Sequence, residues 1–180
     1  MTQTIPVLYG TETGNAEYCA EMLVEALEAG GFDAEMVDMA DFDPNGISEK
    51  NAILIVTSTY GNGDPPANAR DLLEYLQEDK PSLGGTSFAV CGLGDTSFPF
   101  FAQCGKDFEA ALLACSAKPM FERVDCDIDF EVPFERFKET AVAHLTQNPD
   151  ILAGSVGGAA ASTTESAPVE ASVAGAGATT

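Results

Sequence analysis

Ala52-Ile-Leu-Ile-Val-Thr57 is continuously apolar and rich in β-branched residues, with no alternation of wet and dry positions. A run of that kind suits a central parallel strand covered on both faces. It breaks at once into Ser58-Thr-Tyr-Gly-Asn-Gly-Asp-Pro-Pro66, a loop stiffened by two Gly and two Pro. Upstream, Ile5-Pro-Val-Leu-Tyr9 is a second apolar run that ends in a Gly/Thr turn. Downstream, Ser87-Phe-Ala-Val-Cys91 is another, and residues 33–39 and 120–124 supply two more. Between these runs the period changes from strand to helix. Ala16, Cys19, Ala20, Leu23, Val24 and Leu27 share one face of a helix over 15–30, closed by Gly30-Gly31. Leu72, Leu73 and Leu76 mark a helix near 67–77. Phe101, Cys104, Phe108, Leu112 and Cys115 mark another, and Phe134, Phe137, Ala141 and Leu145 the last. Strand–helix alternation repeated five times predicts an α/β fold, a parallel sheet with helices on both faces. Ligands of such sheets bind outside the carboxyl ends of the strands.

Composition narrows the function. The 180 residues hold 8 Lys and Arg against 29 Asp and Glu, a net charge of −21. Nucleic acid and anionic membrane surfaces both need a basic footprint, so both are excluded as partners. No run approaches the length of a membrane-spanning helix, and the first residues carry no basic leader, which predicts a cytoplasmic location. The five cysteines are odd in number and none is paired at C-x-x-C spacing, so neither a disulfide framework nor a zinc site is expected. His144 is the single histidine and sits in a polar helical stretch, read as a solvated residue near a helix C-terminus. Composition changes after about residue 150. Residues 151–180 are almost entirely Ala, Gly, Ser, Thr and Val, read as a disordered tail or linker behind one domain over 1–150.

Three strand-to-helix loops carry the candidate chemistry. The first, Gly10-Thr-Glu-Thr-Gly-Asn-Ala16, opens the first helix. Its amides and the hydroxyls of Thr11 and Thr13 suit a phosphate monoester at a helix N-terminus. It has no Lys, so it is not a nucleotide-hydrolysing P-loop. Read alone, it equally suits a Thr N-cap on an ordinary helix. The second loop places Tyr60 beside Gly61, an aromatic face able to stack on a planar ring. The third, Gly92-Leu-Gly-Asp-Thr-Ser-Phe-Pro-Phe-Phe101, brings Phe98 to the same sheet edge. Its Gly92-x-Gly94 lacks the third Gly and the first-strand position of a dinucleotide fingerprint. One phosphate cradle and two aromatics at one edge describe a phosphorylated planar ring held between aromatic faces.

These residues resemble the flavodoxin-like FMN-binding domains, in particular their diflavin-reductase branch. Thr11-Glu-Thr-Gly-Asn-Ala16 is similar to the family's phosphate loop, and Ser58-Thr-Tyr-Gly61 to the loop carrying one flavin-stacking aromatic. Leu93-Gly-Asp-Thr-Ser-Phe98 with Phe100-Phe101 is similar to the loop carrying the other. Glu122-Arg-Val-Asp-Cys-Asp127 resembles the matching segment of the sulfite reductase flavoprotein subunit's FMN domain. The resemblance covers about residues 5–147 and implies a five-stranded parallel sheet of order 2-1-3-4-5. It implies FMN as cofactor, held by Thr11, Glu12, Thr13, Gly14, Asn15 and Ala16 at the phosphate. Ser58, Thr59, Tyr60 and Gly61, with Leu93, Gly94, Asp95, Thr96, Ser97 and Phe98, would surround the ring. Phe101 and Asp125 complete the expected set, and no catalytic or metal-ligating residue is expected. Family members usually carry Tyr where Phe98 stands.

The implied function is single-electron shuttling, as a carrier or as the FMN domain of an NADPH-dependent diflavin oxidoreductase. The donor would be an FAD/NADPH reductase module or a ferredoxin–NADP reductase-like protein. The acceptor would be a redox protein, with haem or an iron–sulfur centre, docking on the acidic face of a monomer. Two alternatives are a flavodoxin-fold binding module without flavin and a stand-alone FMN-dependent quinone reductase. The second needs a nicotinamide site, for which the sequence offers no basic patch.

Overall fold

The computed structural model describes residues 3–154. Elements follow in the order β1 (Ile5–Gly10), α1 (Asn15–Ala29), β2 (Ala34–Asp38), β3 (Ala52–Ser58), α2 (Arg70–Glu78), β4 (Ser87–Leu93) and α3 (Gln103–Ala114). They end with β5 (Lys118–Pro119), β6 (Val124–Cys126), α4 (Glu131–Gln147) and a short α5 (Asp150–Ala153). Single 3-10 turns at Pro44–Glu49 and Ala67–Ala69 precede β3 and α2. All strand pairs are parallel, in the order β2-β1-β3-β4, with β5 and β6 both on the free edge of β4.

Burial explains the apolar run that lacks alternation. Ile53 and Ile55 of β3 face a core built with Leu72, Leu76, Phe108 and Leu112 of α2 and α3. Leu54 and Val56 face the opposite core, with Leu23 and Leu27 of α1 and Phe137 and Leu145 of α4. Every second residue is thus buried on one face and its neighbours on the other. Each such side chain contributes about 1.5–3 kcal/mol. On the second layer, α3 crosses β4 almost backbone to backbone, because a Cβ at Gly105 would stand 2.9 Å from Gly92 Cα.

The fifth strand differs from expectation. Residues 120–123 do not pair with β4. Lys118 and Pro119 pair with Ser87 and Phe88, and pairing resumes only when Val124 meets Cys91. Two residues of β4 (89 and 90) are spanned by four on the outer side (120–123), so two bulge out. Met120 and Phe121 use the bulge to pack into the α1/α4 core. Phe121 also sets its ring 6.0 Å from that of His144, which is therefore half-buried rather than fully solvated.

Residues 151–153 lie in α5, and Leu152 is buried in the core. Residues 155–180, where the tail or linker was expected, lie outside the described residues. At Gly154 the chain lies against Asn51, at the start of β3 and the far end of the sheet from the loops described next. No helix among the described residues is long and apolar enough to cross a membrane.

Candidate functional site

Three strands release their loops at one sheet edge, and a cleft of about 260 Å3 opens between those loops. Thr13 and Asn15 line it from the β1 loop. Ser58, Thr59 and Gly61 do so from the β3 loop, and Leu93, Gly94, Asp95, Phe98, Phe100 and Ala102 from the β4 loop. Asp127, Ile128 and Phe130 line it from the chain leaving β6.

In the β1 loop, Gly14 adopts φ +93° directly before α1, a left-handed turn that favours Gly. The Thr11 hydroxyl accepts from the Gly14 amide at 2.9 Å, closing the loop on itself. Among the described residues no acceptor reaches the amides of Glu12, Thr13, Asn15 or Ala16. Four unpaired donors at the positive end of a 15-residue helix form an anion cradle without any cationic side chain. Glu12 points elsewhere, since its carboxylate accepts from the Ala67 amide at 2.6 Å and ties the β1 loop to the start of α2. Asn68 ties it again. Its side-chain oxygen accepts from the Thr11 amide at 3.0 Å while its nitrogen donates to Asp38 at 3.0 Å.

The β3 loop is stapled at both ends. The Thr59 amide donates to the Leu93 carbonyl at 3.1 Å, and the Thr59 hydroxyl accepts from the Cys104 amide at 3.1 Å. Tyr60 and Asp64 exchange backbone hydrogen bonds at 2.8 Å, closing a turn with residues 61–63 at its tip, and Tyr60 is 55% exposed at its base. Gly61 sits at φ +51°, with only the Asp64 carboxylate near a would-be Cβ. Tyr60 is not itself among the lining residues, although its chain neighbours Thr59 and Gly61 are.

In the β4 loop Phe98 is 51% exposed and lines the cleft. Asp95 accepts from the Ser97 amide and hydroxyl. Thr96 donates from its amide and hydroxyl to Asp127 at 3.0 and 2.5 Å. Those bonds, led by the hydroxyl, and the Ile128 amide hold the Asp127 carboxyl below the usual range. Close packing requires Gly94, where a Cβ would lie 2.7 Å from Ala102 N.

Of the expected site residues, Thr11, Glu12, Gly14, Ala16, Tyr60, Thr96, Ser97, Phe101 and Asp125 are not among those lining the cleft. The Asp125 carboxylate is held by Arg123, with oxygens 2.8 and 3.1 Å from the guanidinium, which also meets Glu109. Phe101 turns under Lys106, whose ammonium stands 5.6 Å from its ring centroid. Phe100 takes the cleft position instead, half exposed. Sequence reasoning missed Phe100, Ala102, Ile128, Phe130 and Asn68. Exposed apolar side chains in a loop of acids, such as Ile128 in Asp127-Ile-Asp129, were the available signal for that segment. All five cysteines are buried free thiols.

The sequence pattern of the flavodoxin family matches residues 7–139. The sulfite reductase (NADPH) flavoprotein alpha-component of Bacillus subtilis is 38% identical over 167 residues, 92% of this chain and 28% of that protein. Its counterpart from Aliivibrio fischeri is 40% identical over 139 residues, 77% and 23% of the two chains. The chain thus spans about a quarter of the length of these curated relatives. Among solved structures, a flavodoxin of Streptococcus pneumoniae superposes with a TM-score of 0.72 at 25% identity, covering 81% of this chain and 99% of that one. A point mutant of flavodoxin from Pseudomonas aeruginosa gives 0.71 at 26% identity, covering 80% and 99%. The chain belongs to the flavodoxin family of FMN-binding electron-transfer domains and is related to the flavoprotein subunit of sulfite reductase.

Proposed function

We propose that this chain seats FMN in the cleft and passes single electrons from a reductase module to a separate redox protein. The observation that carries the reading is the cradle of unpaired amides at Glu12, Thr13, Asn15 and Ala16, set beside a cleft lined by Thr59, Gly61 and Phe98. The donor set fits a phosphate monoester, because free N–H groups and a helix N-terminus solvate an anion without a counter-charge. The cleft fits a flat ring, because Phe98 offers an aromatic face and Gly61 and Gly94 keep the backbone close.

Bound FMN supplies a centre that takes up and returns electrons one at a time. The chain's own residues bind, orient and tune. Thr13 and Asn15 would stand at the phosphate end, and Phe98 and Tyr60 would hold the ring. Ile128 and Phe130 would flank the ring on the side of the chain leaving β6. Asp95 and Asp127 set negative charge beside the cleft, which disfavours adding a further electron and lowers the potential.

The donor in this reading is an FAD- and NADPH-binding module or a ferredoxin–NADP reductase-like protein. The acceptor is a haem or iron–sulfur protein with a basic face, drawn to a monomer whose net charge is −21. The relationship to sulfite reductase flavoproteins and the acidic surface support it, and the cytoplasm is the compartment it implies. The test is the absorption spectrum of the purified chain with the released cofactor identified. Flavin bands and about one FMN per chain are expected. A colourless protein that also fails to quench added FMN would sink the reading.

A further inference from the structure

The turn that carries Phe98 is closed on itself. Asp95 accepts from the Ser97 amide at 2.8 Å and from the Ser97 hydroxyl, and its carbonyl accepts from the Phe98 amide at 3.1 Å. Among the described residues, hydrogen bonds tie residues 95–98 to another segment at one place, from Thr96 to Asp127. Just upstream, the Gly94 amide donates to the Cys126 carbonyl at 2.9 Å. The 95–98 turn is therefore a preformed knob hinged at Gly94, and Asp127 is its latch. Both sides of the latch face the cleft, Asp95 and Phe98 on one, Asp127 and Ile128 on the other.

We infer that Asp127 is a positioning residue: it fastens the 95–98 turn to the chain leaving β6 and so fixes where Phe98 stands against the ring. The inference rests on the FMN reading above and deepens it. The latch's geometry does not need the charge. Both amides, from Thr96 and Ile128, meet the same oxygen, Oδ1, at 3.0 and 2.8 Å. The other oxygen meets a hydroxyl, which can donate or accept. Asparagine reproduces every contact, with Oδ1 toward the two amides and an N–H toward Thr96 Oγ1. Alanine reproduces none. The pair Asp127→Asn and Asp127→Ala thus separates placement from charge.

The experiment uses the full chain stripped of flavin. Amide hydrogen exchange over residues 94–98 is measured without FMN, and the FMN dissociation constant by fluorescence quenching. In D127A, exchange at Thr96 should rise and FMN should bind roughly tenfold more weakly, the loss of two to three modest hydrogen bonds. D127N should stay within about threefold of the parent in both, a rescue that keeps the inference testable should D127A fold poorly. A D127A chain that binds FMN as tightly as the parent overturns the inference. So does a D127N chain as weak as D127A, because the charge would then be what matters. A parent chain that binds no FMN removes the functional reading and this role with it. Exchange in the flavin-free chain tells that failure apart from the absence of a latch.

Discussion

Replacing Asn68 with Ala removes a side chain that never enters the cleft yet holds the β1 loop in shape. Asn68 accepts from the Thr11 amide at 3.0 Å and donates to the Asp38 carboxylate at 3.0 Å, with a longer contact of 3.4 Å to the Tyr9 carbonyl. The neutral bond is worth about 1 kcal/mol and the one to a carboxylate about 1.5 kcal/mol before allowing for partial exposure, and the long one little. The expected loss is about 2 kcal/mol. For a domain of this size that lowers Tm by roughly 4–8 °C. The loop also loses one of its two ties to the 3-10 turn before α2, the other being Glu12 to Ala67. FMN affinity should then fall roughly three- to tenfold, since the cradle must be ordered at the moment of binding. Thermal unfolding of the flavin-free chain and FMN titration measure the two effects. Asn68→Asp sharpens the test. It still accepts from Thr11, but it sets a second carboxylate against Asp38. At pH 7 it should be no more stable than the Ala variant, recovering as pH falls toward 4 and one acid of the pair is protonated. A Tm within 1 °C of the parent for Asn68→Ala, or Asn68→Asp more stable than Asn68→Ala at pH 7, would refute the reasoning.

Phe98→Ala should leave Tm nearly unchanged, because the ring is half exposed, yet weaken FMN binding roughly tenfold through lost stacking; Phe98→Tyr should restore it. Gly94→Ala puts a Cβ 2.7 Å from Ala102 N, an overpacking that should cost about 1–3 kcal/mol in urea unfolding. Burial pushes the Cys104 thiol up from 9.0 to about 12, so its contribution is whole below pH 9 and is lost as pH rises toward 12. Stability should fall there at a slope approaching roughly 1.4 kcal/mol per pH unit from this thiol, and Cys104→Ala should flatten the curve. The cradle has no Lys or Arg and the chain carries −21, so FMN should bind more tightly as salt is raised to 0.2 M, the reverse of a lysine-built phosphate site.

Much of this was legible because local rules and the fold agree. The run 52–57 could only be a strand covered on both faces, and Gly14 before a helix with hydroxyl neighbours marked the cradle. What stayed hidden depends on segments meeting in space. The bulge at 120–123 adds two residues to one strand of a pair, and apolar spacing cannot register that when Met120 and Phe121 look like strand residues themselves. Asn68 is an ordinary loop polar until the loops it bridges are side by side. Asp125 was expected at the site from the family resemblance of residues 122–127; Arg123, two residues before it, claims its carboxylate. Phe100 and Phe101 differ by one position, and the turn rather than the sequence decides which faces the cleft.

The most direct measurement is equilibrium binding of FMN and of riboflavin to the same flavin-free chain. The two ligands share the ring and differ by the phosphate. If the amides of residues 12–16 hold that phosphate, FMN should bind at least about 100-fold more tightly, the worth of two or three charge-assisted hydrogen bonds. Equal affinity for the two would contradict the phosphate cradle on which this account of the site depends.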